Sequence, residues 1–382
     1  MASIPYYWRL SGFYFFYFGS IGALMPYWSL YLHHLGFDAK AIGELIAIIM
    51  ATKIIAPNIW GWLAARTGYH VTLVRISSLL AVICFAGVLL RQDYLWLVLV
   101  MITFSFFWNA ALPQFEATTL AHLGLQAHRY SQVRLWGSIG FIITVSWLGW
   151  LFKSISISLL PILLLGLFSG IWLSSLWVPE KINCAVPSDA ESFYQLLQRP
   201  TIIALFAVGF LMQASHSPYY TFYSLYLENQ GYARDIIGRL WALGVVAEVG
   251  LFLVMHRLLI RFSLSRLLIF SLTLTALRWL LIGSAVNSLL ILTVAQLLHA
   301  ASFGMHHGVS MQLIRRYFAD HQQSQAQALY GSLSFGAGGA IGSLISGYIW
   351  QLGAQVSYWG AAGVCIIAIW ISWQWLERDK VT

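Results

Sequence analysis

The chain has 382 residues, of which 59% are hydrophobic and only 9% charged, with a formal net charge of +8. A soluble domain needs about a quarter charged residues to clothe its core. This composition therefore excludes an ordinary soluble protein and leaves lipid as the outer solvent. The basic residues sit at the ends of apolar runs, which excludes a nucleic-acid-binding patch and favours a membrane protein obeying the positive-inside bias.

A membrane-crossing helix needs roughly 20 apolar residues. On that length, twelve helices are predicted at 9–32, 42–64, 71–90, 94–120, 132–152, 156–178, 201–227, 236–260, 266–284, 288–312, 324–350 and 355–376. The fold class is thus an all-α membrane protein. The first helix follows a short start charged only at Arg9 and lacks a small-residue cleavage site, so it reads as retained rather than as a signal peptide. The 18 tryptophans suit anchors at the membrane interfaces. Cys84, Cys184 and Cys365 are too far apart in sequence for a metal motif, and no disulfide framework is expected.

One connection is long and charged, at 179–200, and it lies at mid-chain. It divides the sequence into an N-terminal six-helix bundle at 1–178, a cytoplasmic linker at 179–200 and a C-terminal six-helix bundle at 201–382. With the N-terminus inside, 14 Lys and Arg fall on the cytoplasmic side and five on the outer side. That bias predicts a multi-pass protein of the inner (plasma) membrane with both termini cytoplasmic.

The halves also share a pattern. Residues 27–45, YWSLYLHHLGFDAKAIGEL, match 222–240, FYSLYLENQGYARDIIGRL, at a constant offset of 195. Ser29-Leu30-Tyr31-Leu32 recurs as Ser224-Leu225-Tyr226-Leu227, Gly36 as Gly231, and Ile42-Gly43 as Ile237-Gly238. A gapless register through a helix end, a loop glycine and a helix start predicts two parallel six-helix repeats, the arrangement of the major facilitator fold.

No GxxxxGK[ST] loop, HExxH motif or Cys/His cluster occurs, and no nucleophile–base constellation is visible. No cofactor, metal or enzyme activity is expected. Gly336, Gly338, Gly339 and Gly342 lie in an apolar helix and read as close-packing positions.

Ionisable groups inside a membrane span are costly, and so are usually paired and functional. The candidates are Lys53, Glu116, Glu248, Arg278 and His299, with Arg134 near the start of a helix. Position 53 plus the offset of 195 is 248, so Lys53 and Glu248 hold equivalent places with opposite charge. A parallel two-fold axis would set them across a central cavity, although each charge being satisfied locally is the competing account. Asn109 and Glu116 are seven residues apart and share a helix face. Asn109 reads equally as a plain helix–helix contact, whereas Glu116 is expected beside Arg134 after a short hairpin. Gln296, His299 and Phe303 share one face of a later helix. A lone histidine there is often just a hydrogen-bonded interior residue, but Arg278 in the preceding helix makes a polar network plausible. His306 and His307 follow, and pattern does not separate their roles.

On these residues the chain resembles the phenylpropionate permease group of the major facilitator superfamily. The resemblance runs through WALGVVAEVGLFLVMHR at 241–257, Ala276-Leu277-Arg278-Trp279, Gln296-Leu297-Leu298-His299, MPYWSLYL in helix 1, VRLWGSIGF in helix 5 and SHSPYYTFYSLYL in helix 7. It implies a proton-coupled symporter of a small aromatic carboxylic acid such as 3-phenylpropionate. More distantly the chain resembles lactose permease, where Glu116, Arg134, Glu248, Arg278 and His299 fall on charged positions used in sugar and proton binding. It departs at Gln296 and Ser302, where that protein has a lysine and a glutamate, and at Ala65, where the usual loop has an aspartate.

The expectation is a secondary transporter working by alternating access, monomeric, with a small-molecule substrate and protons as partners. Its carboxylate would meet Arg278, Lys53 or Arg134. Tyr27, Trp28, Tyr219, Tyr220 and Trp241 are aromatics able to hold an aryl ring. Glu248 is the preferred proton carrier, then Glu116, with His299 in the coupling network. The alternative is a sugar or nucleoside proton symporter, because a Glu116–Arg134 pair suits hydroxyl groups. A channel, or a sensor that has lost transport, is the reading from outside the transporter class.

Overall fold

The computed structural model describes residues 6–181 and 190–376, and among these no strand occurs. Cys184, Arg378, Lys380 and the middle of the 179–200 connection lie outside the described residues.

The helices are α1 Tyr7–His34, α2 Ala39–Thr67, α3 His70–Ala86, α4 Tyr94–Leu123, α5 Tyr130–Leu151, α6 Leu160–Leu176, α7 Ala190–Leu197, α8 Pro200–Asn229, α9 Arg234–Arg261 and α10 Leu264–Ser284. They continue as α11 Leu289–Leu297, α12 His306–Tyr317, α13 Asp320–Gly331, α14 Gly339–Ile349 and α15 Ala354–Ile371. Nine helical runs among the described residues are long and apolar enough to cross a membrane, one of which, Tyr94–Leu151, contains both α4 and α5. Helices α1 and α2, of 28 and 29 residues, fall outside that set. Tyrosine and serine dilute the first.

Local chemistry explains the ends. Asp38 accepts from the Ala41 amide at 2.9 Å and starts α2, and Asp93 accepts from the Trp96 amide at 3.2 Å to start α4. The two loop glycines noted in the sequence both adopt the left-handed conformation, with φ of 90° at Gly36 and 83° at Gly231. Their amides donate to the His33 and Glu228 carbonyls, each at 2.9 Å. The next amides, Phe37 and Tyr232, donate to Leu32 and Leu227 at 3.2 and 3.1 Å. The two turns thus share their hydrogen bonds residue for residue at the 195 offset.

By internal packing the chain divides into two compact units, Met1–Val186 with Ala233–Ala242, and Pro187–Tyr232 with Leu243–Thr382. In the first, α1 packs on α5 and α6, α2 on α4, and α3 on α4 and α6. Small residues let backbones meet: a Cβ on Gly22 would sit 2.8 Å from the Phe141 carbonyl oxygen, and one on Gly140 would collide with that of Phe15. Asn109 donates to the Ile49 carbonyl at 3.0 Å and to Thr52 Oγ1 at 2.9 Å, tying α4 to α2 as a helix–helix contact. Glu180, where the long connection begins, caps α3 by accepting from the Val71 and Thr72 amides at 2.9 and 2.7 Å. Residues 233–242 pack with α5, where a Cβ on Gly238 would lie 2.7 Å from the Val145 carbonyl oxygen.

In the second unit α8 packs against α14 and α15, and α10 against α15. Gly338 and Gly342 carry this packing. Cβ atoms there would lie 2.5 Å from the Phe210 and 2.7 Å from the Ala214 carbonyl oxygens of α8. The predicted helices 288–312 and 324–350 are each interrupted by a π-helical segment, at Ala300–Met305 and Ser332–Gly338. The connection read as a plain linker contains the short helix α7.

Candidate functional site

In the second unit, α10 carries Arg278 into a fully buried position. Its Nε donates to the Ala295 carbonyl at 3.0 Å, Nη1 to Ser302 Oγ at 3.1 Å and Nη2 to Gln296 Oε1 at 3.3 Å. The guanidinium carbon lies 4.3 Å from the Tyr219 ring centroid and 4.6 Å from that of Trp279. Every partner is neutral, and among the described residues no carboxylate comes within 4 Å. Gln296 is held for this task, because its Oε1 also accepts from Tyr219 Oη at 3.0 Å. Neutral acceptors and aromatic faces offset only part of the cost of burying a full charge, which amounts to several kcal/mol. The arrangement is a pre-organised cation suited to an anion with a flat apolar body.

An acid adjoins this network through His299. Glu248 from α9 lies with Oε2 3.7 Å from His299 Nε2, a contact that becomes an ion pair when the ring is protonated. His299 Nδ1 is buried and has no hydrogen-bond partner among the described residues. Phe303 stacks on His299 with centroids 5.6 Å apart and planes 5° from parallel. Tyr220 stacks on His216 at 5.8 Å and meets Tyr219 edge-on at 5.4 Å. The structure therefore brings Arg278, Gln296, Tyr219, His299 and Glu248 into one neighbourhood.

A second acidic pocket lies in the first unit. Tyr130 Oη donates to Glu116 Oε1 at 3.1 Å, and Tyr14 Oη donates to Thr119 Oγ1 at 3.1 Å beside it. Arg134 acts on Glu116 through its charge, but its guanidinium carbon lies over Phe18, 3.6 Å from the ring centroid. The two share a pocket without a contact ion pair. Lys53 is half-buried on α2 and has no hydrogen-bond or ion-pair partner among the described residues.

The remaining aromatics go elsewhere. Tyr27 donates to the Val145 carbonyl at 2.7 Å and fills the space beside Gly149 and Gly238. Trp28 stacks on Tyr31 at 5.1 Å in the core of the first unit. Trp241 is also buried there, in the segment 233–242. Sequence reasoning missed Tyr14, Tyr130 and His216. The first two are lost among many helix tyrosines; His216 stood in the quoted SHSPYY stretch, where its neighbours took the attention.

Known proteins agree with this architecture. The MFS_1 like family matches residues 7–361. The chain is 30% identical over 370 residues to the probable 3-phenylpropionic acid transporter of Escherichia coli (strain K12), covering 94% of this chain and 95% of that one. It is 26% identical over 347 residues to the maltose permease of Geobacillus stearothermophilus, covering 90% and 88%. Among solved structures it is similar to the nucleoside transporter NupG, with a TM-score of 0.82 at 15% identity, covering 98% and 99% of the two chains. It is also similar to a bacterial homologue of the lysosomal transporter Spinster, with a TM-score of 0.73 at 13% identity over the whole of both chains. At such identities the structural likeness concerns the fold. The family match and the 30% relative reach further: the chain belongs to the MFS_1 like family and is a multi-pass membrane transporter of the major facilitator type, not an enzyme.

Proposed function

We propose that this transporter is a proton-coupled symporter of a small aromatic carboxylate, with 3-phenylpropionate as the model substrate, working by alternating access. The observation that carries the reading is Arg278, a fully buried guanidinium with neutral partners and two aromatic faces. A carboxylate meets the unbalanced charge with bidentate hydrogen bonds, and an aryl ring meets Tyr219 and Trp279. Lys53 and Arg134 are the secondary cations. Glu248 is the proton carrier, with His299 beside it at 3.7 Å; Glu116 is second. The 30% identity to a probable 3-phenylpropionic acid transporter supports the same substrate class. The proposal includes twelve spans in two parallel repeats, divided at 179–200, with both termini cytoplasmic in the inner membrane, and a monomer. The matched turns at Gly36 and Gly231 support the repeat.

The test is uptake of labelled 3-phenylpropionate into proteoliposomes under an imposed proton gradient. Accumulation is expected to vanish with a protonophore. Glu248→Gln is expected to lose accumulation while keeping exchange of substrate for substrate. Undiminished uptake with a protonophore, together with normal accumulation by Glu248→Gln, overturns proton symport.

The pocket of Glu116 and Tyr130 favours a second reading, a sugar or nucleoside symporter, because a carboxylate flanked by phenols suits hydroxyl groups. Competition of 3-phenylpropionate uptake by maltose or a nucleoside separates the two.

A further inference from the structure

Beside the Arg278 network, a small internal cavity in the second unit is lined by His216, Ser302, Phe303, His306, Tyr330 and Ser334, among others. Imidazoles and hydroxyls are set into a wall that Met212, Phe303 and Phe335 otherwise make apolar. Both π-helical segments contribute to its wall, Ser302 and Phe303 from one and Ser334 from the other. Such local departures from the α-helical ladder are enriched at functional sites. Ser302 belongs to both places, because its Oγ accepts from Arg278 while the residue lines the cavity. His216 meets Trp279 edge-on at 4.9 Å, and Trp279 lies under the Arg278 guanidinium. The cavity is therefore one side chain away from the carboxylate anchor.

The tautomer of His216 sets the chemistry of what belongs there. Its Nδ1 lies 2.9 Å from the Met212 carbonyl oxygen, which only accepts, so Nδ1 carries the proton. In the neutral ring Nε2 is then a bare acceptor. His216 is 1% exposed, and this Nε2 has no hydrogen-bond partner among the described residues. Across the cavity Tyr330 Oη lies 3.3 Å from His306 Nε2, while His306 Nδ1 is also buried without a partner. With Tyr330 donating, His306 Nδ1 carries a proton. His216 then calls for a donor and His306 for an acceptor. A carboxylate cannot donate, and a methyl group can do neither. A hydroxyl does both.

We propose that this cavity is a hydroxyl-selecting subsite, and that the preferred substrates are hydroxylated aryl carboxylates: carboxylate on Arg278, phenolic hydroxyl on His216. The proposal rests on the aromatic-carboxylate reading above and narrows it. An acceptor left buried and unpaired by an unsubstituted ring penalises that substrate by about tenfold in affinity.

The experiment measures uptake of 3-phenylpropionate and of its 3-hydroxy and 4-hydroxy derivatives in the same proteoliposomes. The readout is the ratio of kcat/KM values, so losses in folded protein cancel. At least one hydroxylated acid is expected to be favoured about tenfold, and His216→Phe is expected to bring that ratio close to one. His306→Phe, on a different helix, is the second variant and is expected to lower the ratio as well. Equal uptake of all three acids by the unaltered protein means that the cavity holds only water, and overturns the subsite while leaving the aryl-acid reading standing. A preference that survives both substitutions also overturns it. No uptake of any of the three overturns both readings.

Discussion

Among the cations read from the sequence, Arg278 and Lys53 differ in how the protein treats them. Lys53 is half-buried and lacks a partner among the described residues. Arg278 is fixed by three hydrogen bonds and two rings. A planar fork held this way presents its remaining N–H groups in a set direction, which a flexible ammonium cannot do. Arg278→Lys keeps the charge and loses the fork, so 3-phenylpropionate uptake is expected to fall about tenfold or more, mostly through KM. Lys53→Gln removes a charge that organises nothing nearby and is expected to cost less than Arg278→Lys. Transport kinetics of the two variants in parallel check both statements. An uptake rate unaffected by Arg278→Lys would remove Arg278 from the substrate site. At this scale the sequence told part of the story. Charges stand out against an apolar background, so Arg278, Glu248, His299 and Glu116 were legible. His216, Tyr14 and Tyr130 were not, because tyrosine and histidine acquire their meaning from which neighbour lies opposite, a tertiary fact.

Individual helices show what hydropathy reads and what it passes over. Helix positions follow from apolar length, and helix ends from aspartate caps and turn glycines, all visible in the chain. The π-helical segments at Ala300–Met305 and Ser332–Gly338 were not visible. An extra residue in one turn leaves composition unchanged; it is stabilised by packing and by the polar side chains it turns inward. Helix α7 is short and sits in the charged connection, where span length gives no signal. Two element-scale expectations follow. Glu180 satisfies two amides at the start of α3 from outside that helix. Glu180→Ala is expected to destabilise the protein by about 1 kcal/mol, seen as a lower thermal midpoint in detergent. At Gly140 a Cβ would run into the Phe15 backbone, which cannot turn aside as a side chain can. Gly140→Val must separate α1 from α5, and a penalty of about 1–3 kcal/mol or more is expected. The signature is poor recovery of folded protein, whereas Gly166→Ala, with open space around it, should be recovered normally.

For the molecule as a whole, two numbers from the sequence make the largest claims: the offset of 195 and the charge bias of 14 to five. The offset reappears as matching hydrogen bonds at two turns, because a backbone that must leave a helix through a left-handed glycine has few ways to do so. The bias concerns the membrane, and its test has to be made in one. With Cys84, Cys184 and Cys365 replaced by serine, single cysteines are introduced as Ser156→Cys and Gln230→Cys on the proposed outer side, and as Gln126→Cys and His321→Cys on the proposed cytoplasmic side. A membrane-impermeant maleimide added to intact cells is expected to label the first two. The other two should react only after permeabilisation. Each variant should retain uptake, so that labelling reports a working transporter. The reverse pattern would invert the protein in the membrane. A mixture within one pair would break the twelve-span count, since an odd number of crossings between Ser156 and Gln230 puts them on opposite faces. The proposed topology places two crossings between them, α6 and α8, so they must label together.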